Sequence, residues 1–250
     1  MSAPNGYIIY EGPSLLDGSP IVVIATISSV NQKTGDMVQV TILNSEVPPI
    51  EAKKTGADSA ICGDCFFKSN GCYVKVWQAP NAIYKAYKKG KYPKLEESQL
   101  PKLAGLKNIR FGAYGDPSAY PAHLSKLLAE KCGHTGYSHQ WDTVDTFSPE
   151  LFMASCESLE QAERAWEKGF RTYRVLKDRS ELNPEKEILC PESIEGGAKV
   201  RNCDSCLLCS GTKIKGKSVA IVGIGNTASA EARAYRKKLK KEAGLLQIAV

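Results

Sequence analysis

The sequence predicts an α/β protein, a complete or partial (β/α) barrel of parallel strands with an N-terminal antiparallel β extension. Three observations lead there. From residue 80 onward, strand-like runs alternate with helical stretches of about ten residues, the pattern of βα units around a parallel sheet. Residues 7–43 hold strand-like runs without an intervening helical period. No internal repeat or low-complexity linker divides the 250 residues. The chain therefore reads as an N-terminal β extension at 1–57 and a cysteine-rich α/β domain at 58–250. A doubly wound sheet is the alternative assembly of the same units.

In order, residues 7–10 and 21–27 are apolar runs separated by Gly, Pro, Asp and Ser. Lys33-Thr34-Gly35-Asp36 forms a turn, and 37–43 alternates apolar positions,. Together they read as a meander capping the main domain. Pro48, Pro49 and Gly56 read as loop. Asn81 is placed to cap a helix ending at Lys89 before Gly90, with Ile83, Tyr84 and Tyr87 on one face and Lys85, Lys88 and Lys89 on the other,. Residues 109–114 form a strand ending in Gly115-Asp116-Pro117, and 121–131 a helix stopped by Gly133. Strands follow at 135–141 and 151–155. Ser158 and Gln161 make a capping box for a helix to Lys168,. Strands at 170–176, 188–190 and 218–224 and a helix at 228–243 complete the chain.

Composition narrows the class. An apolar fraction of 42% with 24% charged residues is that of an ordinary water-soluble domain,. The start of the chain has no basic n-region, and its apolar run at 21–27 is too short to cross a bilayer, so no membrane partner is expected,. The net charge of +6 permits nucleic-acid contact without requiring it,. The nine cysteines are odd in number and clustered, unlike a secreted disulfide framework,. Reduced thiols holding metal are expected, hence a cytoplasmic protein.

The cysteines carry the chemistry. Cys203, Cys206 and Cys209 stand at C-x2-C-x2-C spacing, with Cys190-Pro191 upstream. Thiolates this dense repel one another unless a cation holds them. Two-residue spacers let one tight turn aim successive sulfurs at a single centre. The trio with a remote Cys-Pro favours a [4Fe–4S] cluster; zinc, which also takes four cysteines, is the rival. A second group, Cys62, Cys65 and Cys72, is spaced C-x2-C-x6-C and has no obvious fourth member. Cys132 or Cys156 could join it only through the fold. Three ligands on a cubane leave one iron open; four close it.

Functional residues of barrels collect at the C-terminal ends of strands. Here Gly115-Asp116-Pro117, Ser138-His139-Gln140-Trp141, Cys156-Glu157-Ser158 and Cys190-Pro191-Glu192-Ser193 all follow strand-like runs, which predicts one functional rim,. Strand ends also meet water and are polar for that reason. His139 is a candidate base or ligand, or a packing histidine beside Trp141. Asp116 is a candidate catalytic group, or simply a turn residue before proline. His123 and His134 read as surface or helix-end residues, and Tyr114 and Trp141 as core or pocket wall.

The cysteine triplet after an early strand, followed by a strand ending in Gly-Asp-Pro, resembles the radical S-adenosylmethionine barrels. The resemblance implies that Cys62, Cys65 and Cys72 hold a cluster with an open iron, that Gly115, Asp116 and Pro117 sit by S-adenosylmethionine, and that an electron donor is a partner. The four-cysteine group is similar to the auxiliary clusters of some members. The family's usual spacing is C-x3-C-x2-C, where this chain has C-x2-C-x6-C. More specifically, Gly112 to Pro117, Gly136 to Trp141, and Cys190-Pro191-Glu192-Ser193 with the C-x2-C-x2-C run resemble a cysteine-rich family of phage and bacterial proteins with no established activity. That resemblance covers about residues 58–225 and implies a host-cytoplasmic protein if phage-encoded.

Three further features have two readings each. Gly223-Ile224-Gly225-Asn226 would cradle a phosphate at a helix N-terminus, or make a tight turn,. Residues 84–94, Lys interleaved with Tyr, and the Lys/Arg-rich 233–241 would track a nucleic-acid backbone, or form solvated helix faces,. The alternative to an iron–sulfur enzyme is thus a zinc-stabilised nucleic-acid-binding protein.

Overall fold

The computed structural model describes residues 4–105, 107–145, 147–223 and 227–242. The strands are β1 (Gly6–Pro13), β2 (Pro20–Thr26), β3 (Val38–Asn44), β4 (Ile109–Tyr114), β5 (His134–Thr135), β6 (Tyr137–Ser138), β7 (Met153–Cys156), β8 (Thr172–Leu176), β9 (Glu187–Leu189) and β10 (Ser218–Val222). The helices are α1 (Pro49–Thr55), α2 (Ser59–Cys62), α3 (Phe67–Asn70), α4 (Ala79–Lys88), α5 (Leu100–Ala104), α6 (Ala122–Leu128), α7 (Leu159–Glu167), α8 (Cys203–Cys206) and α9 (Ala230–Glu242).

The fold is mixed α/β. One sheet runs β1-β2-β3-β4-β5 and the other β6-β7-β8-β10-β9. The first is antiparallel through β3 and parallel from β3 to β5. The second is parallel throughout. The N-terminal strands do not sit over the main sheet as a cap: β3 hydrogen-bonds directly to β4. β2 and β3 are buried on both faces, as their unbroken Val/Ile/Leu content requires,. A complete barrel is not formed, since the two sheets are open, with β1 and β9 as outer edges.

The strand expected at 135–141 is instead two short pieces on either side of Gly136. β5 pairs with β4, and β6 pairs with β7. Gly136 donates to the Cys209 carbonyl at 2.8 Å and accepts from Met153 at 3.1 Å. A Cβ there would stand 2.8 Å from the Phe152 ring and 3.1 Å from Phe111 Cβ, so only glycine lets the chain change partners at this spot,.

Period-two alternation then sorts the second sheet into two faces. Ala154 and Cys156 meet Ala162 and Ala165 of α7, and Val222 meets Ala228 and, on α9, Ala232. On the opposite face Tyr137, Met153, Tyr173, Val175, Val219 and Ile221 pack with Cys190, Leu208 and Cys209. One face is covered by helices, the other by the cysteine-bearing segment.

Several boundaries differ from the sequence expectation. The stretch expected as loop after Pro48 is α1, begun by Pro49 in the first turn and ended by Gly56 at φ 82°,. α4 starts at Ala79, ahead of Asn81, because Pro80 is pre-shaped for a first turn,. Ser158 caps α7 as expected, but Gln161 reaches back to the Glu157 amide rather than to Ser158. Of the expected phosphate cradle, positions 224–226 lie outside the described residues, as does residue 243 at the end of the last helix.

Candidate metal centres

The first cysteine group is built by a loop bonded mostly to itself. In α2, Cys62 N–H donates to Asp58 at 2.9 Å, and Cys65 N–H to the Cys62 carbonyl at 3.1 Å. Cys72 N–H returns to Phe67 at 2.8 Å after Gly71, at φ 115°, turns the chain back. Lys68 pins the loop through Ser59 Oγ at 2.6 Å and the Gly63 carbonyl at 3.0 Å, with its ammonium 3.9 Å from Asp58. Gly63 presses against Gln140, whose amide donates to the Cys62 carbonyl at 3.2 Å. Cys65 and Cys72 both act electrostatically on Cys62, as do Asp58 and Asp116. Burial drives the Cys62 thiol far above its ordinary range and pushes Cys65 up to about 12. Neither Cys132 nor Cys156 joins this group. The Cys132 thiol donates to Leu128 at the end of α6, and Cys156 packs against α7.

Asp116 fixes the loop to the strand ends. Its N–H donates to the Ile61 carbonyl at 2.6 Å. Its Oδ1 accepts from Ser118 N–H at 2.9 Å and Ser138 Oγ at 2.6 Å, and its Oδ2 from His139 N–H at 2.7 Å. Gly115, at φ 82°, backs onto Ile42, where a Cβ would lie 2.7 Å from the Ile42 Cβ; Pro117 starts a buried 3-10 turn. His139 Nε2 lies 3.0 Å from Ser155 Oγ and 3.6 Å from Glu157, and its ring meets Phe67 of the cysteine loop edge-on at 5.8 Å. The ends of β3, β4, β6 and β7 thus share one rim with Cys62, Cys65 and Cys72.

The second group gathers elsewhere. Cys190 follows β9 and donates to Ala220 at 2.7 Å. α8 is capped by Asn202, accepting from Ser205 N–H at 3.0 Å, and ends in Leu207 at φ 55°, a left-handed turn that costs about 1–2 kcal/mol for a branched side chain,. Cys203 and Asp204 donate to Lys33 and Thr34 just before β3, and Asn108 just before β4 donates to Asp204 at 2.8 Å. Arg171, just before β8, donates to the Leu208 and Gly211 carbonyls at 2.8 and 2.9 Å. Ser210 donates to the His134 carbonyl. The anchors of the segment carrying Cys203, Cys206 and Cys209 are at the starts of strands, whereas Cys190 follows the end of β9, so the four-cysteine group runs along one face of the second sheet. Cys190 and Cys203 both act on Cys209, whose thiol burial pushes up to about 12.

Sequence reasoning missed the residues between the groups. Arg110 on β4 is buried; its guanidinium lies 4.4 Å from the Tyr137 ring centroid and 3.5 Å from Tyr73 Oη. Tyr73, next to Cys72, also bonds Tyr137 Oη at 3.2 Å, and Tyr137 stacks on Tyr173 at 4.3 Å. The available signal was a charged residue inside an otherwise apolar strand pattern. His134, expected at the surface, is buried, donating Nε2–H to Leu151 at 2.9 Å.

Among the described residues, no three or more His, Cys, Asp or Glu side chains stand so that they could hold a metal ion. A cysteine Sγ moves by about 3 Å between χ1 wells, and Cys65 and Cys72 already act on Cys62, as Cys190, Cys203 and Cys206 act on Cys209. Each group also sits beside a buried donor lacking an acceptor: Tyr114 Oη, which interacts with Cys62 and Cys72, and Arg171 Nε, beside Cys209. Sulfur anions are acceptors such donors lack. No family model, curated protein or solved structure matches the chain.

Proposed function

We propose that this is an iron–sulfur protein on a partial, radical-SAM-like barrel, with an open cluster at Cys62, Cys65 and Cys72 and a closed one at Cys190, Cys203, Cys206 and Cys209. The observation that carries the reading is the division of seven cysteines into a three and a four, whose members act electrostatically on one another within each group, each group beside a buried donor with no acceptor. Such clusters supply one-electron transfer, and an open iron can chelate S-adenosylmethionine for reductive cleavage. In this reading Asp116 and Gln140 hold the three-cysteine loop against the strand ends, and Phe67 with His139 shields one side of it from water. Gly115, Asp116 and Pro117 form the wall toward which S-adenosylmethionine would lie. His139, close to Ser155 and Glu157, is the group placed to move a proton at that rim. An electron donor is the partner required.

Anaerobic purification followed by iron, acid-labile sulfide and zinc analysis tests this. A brown protein with iron and sulfide in equal amounts is expected. A colourless protein with stoichiometric zinc overturns it in favour of the zinc-stabilised nucleic-acid-binding reading. The observation favouring that second reading is α9, where Lys237, Lys238, Lys240 and Lys241 are exposed while Arg236 is tied to Glu195.

A further inference from the structure

We infer that Arg110 and Arg171 are the built-in counter-charge of an anionic metal–thiolate centre at the four-cysteine group, and that Arg110 sets how much negative charge that centre holds. The inference rests on the metal–thiolate reading above and adds the residues that tune one of its centres.

Buried Arg174 and half-buried Arg236 are neutralised by carboxylates. Arg174 donates to both oxygens of buried Glu187, at 2.8 and 2.6 Å, and Arg236 pairs with Glu195. Arg110 and Arg171 are just as buried, 6% and 8% exposed, yet among the described residues neither forms an ion pair with a carboxylate. An uncompensated buried charge is costly, by several kcal/mol in order of magnitude. The fold accepts that cost twice, and both guanidinium groups face the same place. Arg171 grips the carbonyls on either side of Cys209 and Ser210 and leaves Nε without an acceptor. Arg110 lies over Tyr137, in the cluster that contains Cys190 and Cys209, and acts electrostatically on Cys203 and Cys209. Lys33, half-exposed, acts on Cys190 and Cys203 from outside but is already paired with Glu192 at 3.4 Å.

Four neutral thiols give these cations nothing to balance. Four thiolates around zinc, or around an oxidised cubane, leave two negative charges, matching two guanidinium groups. Reduction of a cubane by one electron adds a third. Removing one cation therefore disfavours the reduced form most, and the reduction potential falls. Arg110 touches no reacting atom in this scheme. It is a positioning and charge-setting residue, held by Tyr73 and Tyr137.

The test uses the full chain with Arg110→Gln and Arg110→Lys, each in a Cys65→Ser background that leaves only the four-cysteine centre. Metal-free and metal-loaded forms are melted, metal retention is measured by chelator competition, and a dithionite titration gives the midpoint potential where iron is bound. Without metal, Arg110→Gln is expected to melt at the same temperature as the parent or higher, because an unbalanced charge is gone. With metal it is expected to lose metal about 10- to 100-fold more readily and to have a more negative midpoint. Arg110→Lys restores both. An Arg110→Gln protein that is equally destabilised in both forms, or fails to fold in both, overturns the inference, as does full loading with unmoved retention and potential. If Arg110→Gln cannot be obtained, an Arg110→Lys midpoint that departs from the parent's overturns it, and one that matches supports it. A parent chain that takes up neither iron–sulfur nor zinc removes the underlying proposal, a result read before any Arg110 variant is made.

Discussion

The two cysteine groups are opposites in how they are held. The three-cysteine group is tied mainly to neighbours within residues 58–72, and its flanks are open: Phe66, Tyr73 and Trp77 are 55%, 63% and 61% exposed. The segment carrying Cys203, Cys206 and Cys209 is tied to the starts of β3, β4, β6 and β8 by its bonds to the Lys33 and Thr34 carbonyls and by bonds it accepts from Asn108, Gly136 and Arg171. The first is a loop mounted on a finished sheet. The second is part of what closes one face of the sheet. Cysteine spacing alone distinguishes three ligands from four; the supporting bonds distinguish a site that can be emptied from one the fold leans on.

The largest expected effect breaks that contrast if it is wrong. Cys209→Ser should lower stability by roughly 5 kcal/mol when metal is present and halve the bound metal, measured by denaturant unfolding with metal analysis. A loss no greater than that of Cys65→Ser would erase the distinction. Next is acid. His134 lies under the second group, and burial, reinforced by Lys213, pushes its imidazole down to about 4 from an ordinary 6.5. The folded protein holds it neutral, so its contribution is complete above pH 6.5 and is lost as pH falls toward 4. That amounts to on the order of 3 kcal/mol, read as a falling unfolding midpoint that His134→Gln should flatten. Asp116→Asn comes third, at about 2 kcal/mol, because a carboxylate accepting three bonds is replaced by an amide. It should reduce metal at the first group and leave the second full, which element analysis in Cys65→Ser and Cys209→Ser backgrounds separates. Cys65→Ser itself should cost about 1 kcal/mol or less in the metal-free protein while removing the first group's metal. The smallest effect is neutralising Lys237, Lys238, Lys240 and Lys241 together. Stability should change by less than about 0.5 kcal/mol, and any nucleic-acid binding at low salt should disappear.

Much of the sheet was legible because its strands are unbroken apolar runs. The runs at 21–27 and 218–224 could hardly be anything else, and they hold β2 and β10, while Ser158 announces α7. What was hidden depends on distant partners. Nothing near Gly136 says that one strand will serve two sheets; that follows from Phe111 and Phe152 closing on the glycine from other elements. The placement of Cys203 to Cys209 at strand starts was hidden likewise, since the bonds from Cys203 to Lys33 and from Gly136 to Cys209 join segments far apart in sequence. α1 was hidden for a local reason: its two prolines and glycine are loop signals unless they stand at a helix's first turn and its end. The cysteines and the polar strand ends were read from the sequence, whereas Arg110, signalled only by its charge inside the run 109–114, and Arg171, buried by partners at 208–217, were missed.

The anchoring of Cys203 and Asp204 to Lys33 and Thr34 also dictates an order of assembly. During synthesis the early turn emerges first and waits, without its partner, until Cys203 and Asp204, about 170 residues later, have left the ribosome,. On the metal-centre proposal, the three-cysteine loop would be complete long before that. The four-cysteine pocket would not, so chains stalled before residue 203 should carry only the first inorganic centre, and the second would be filled late.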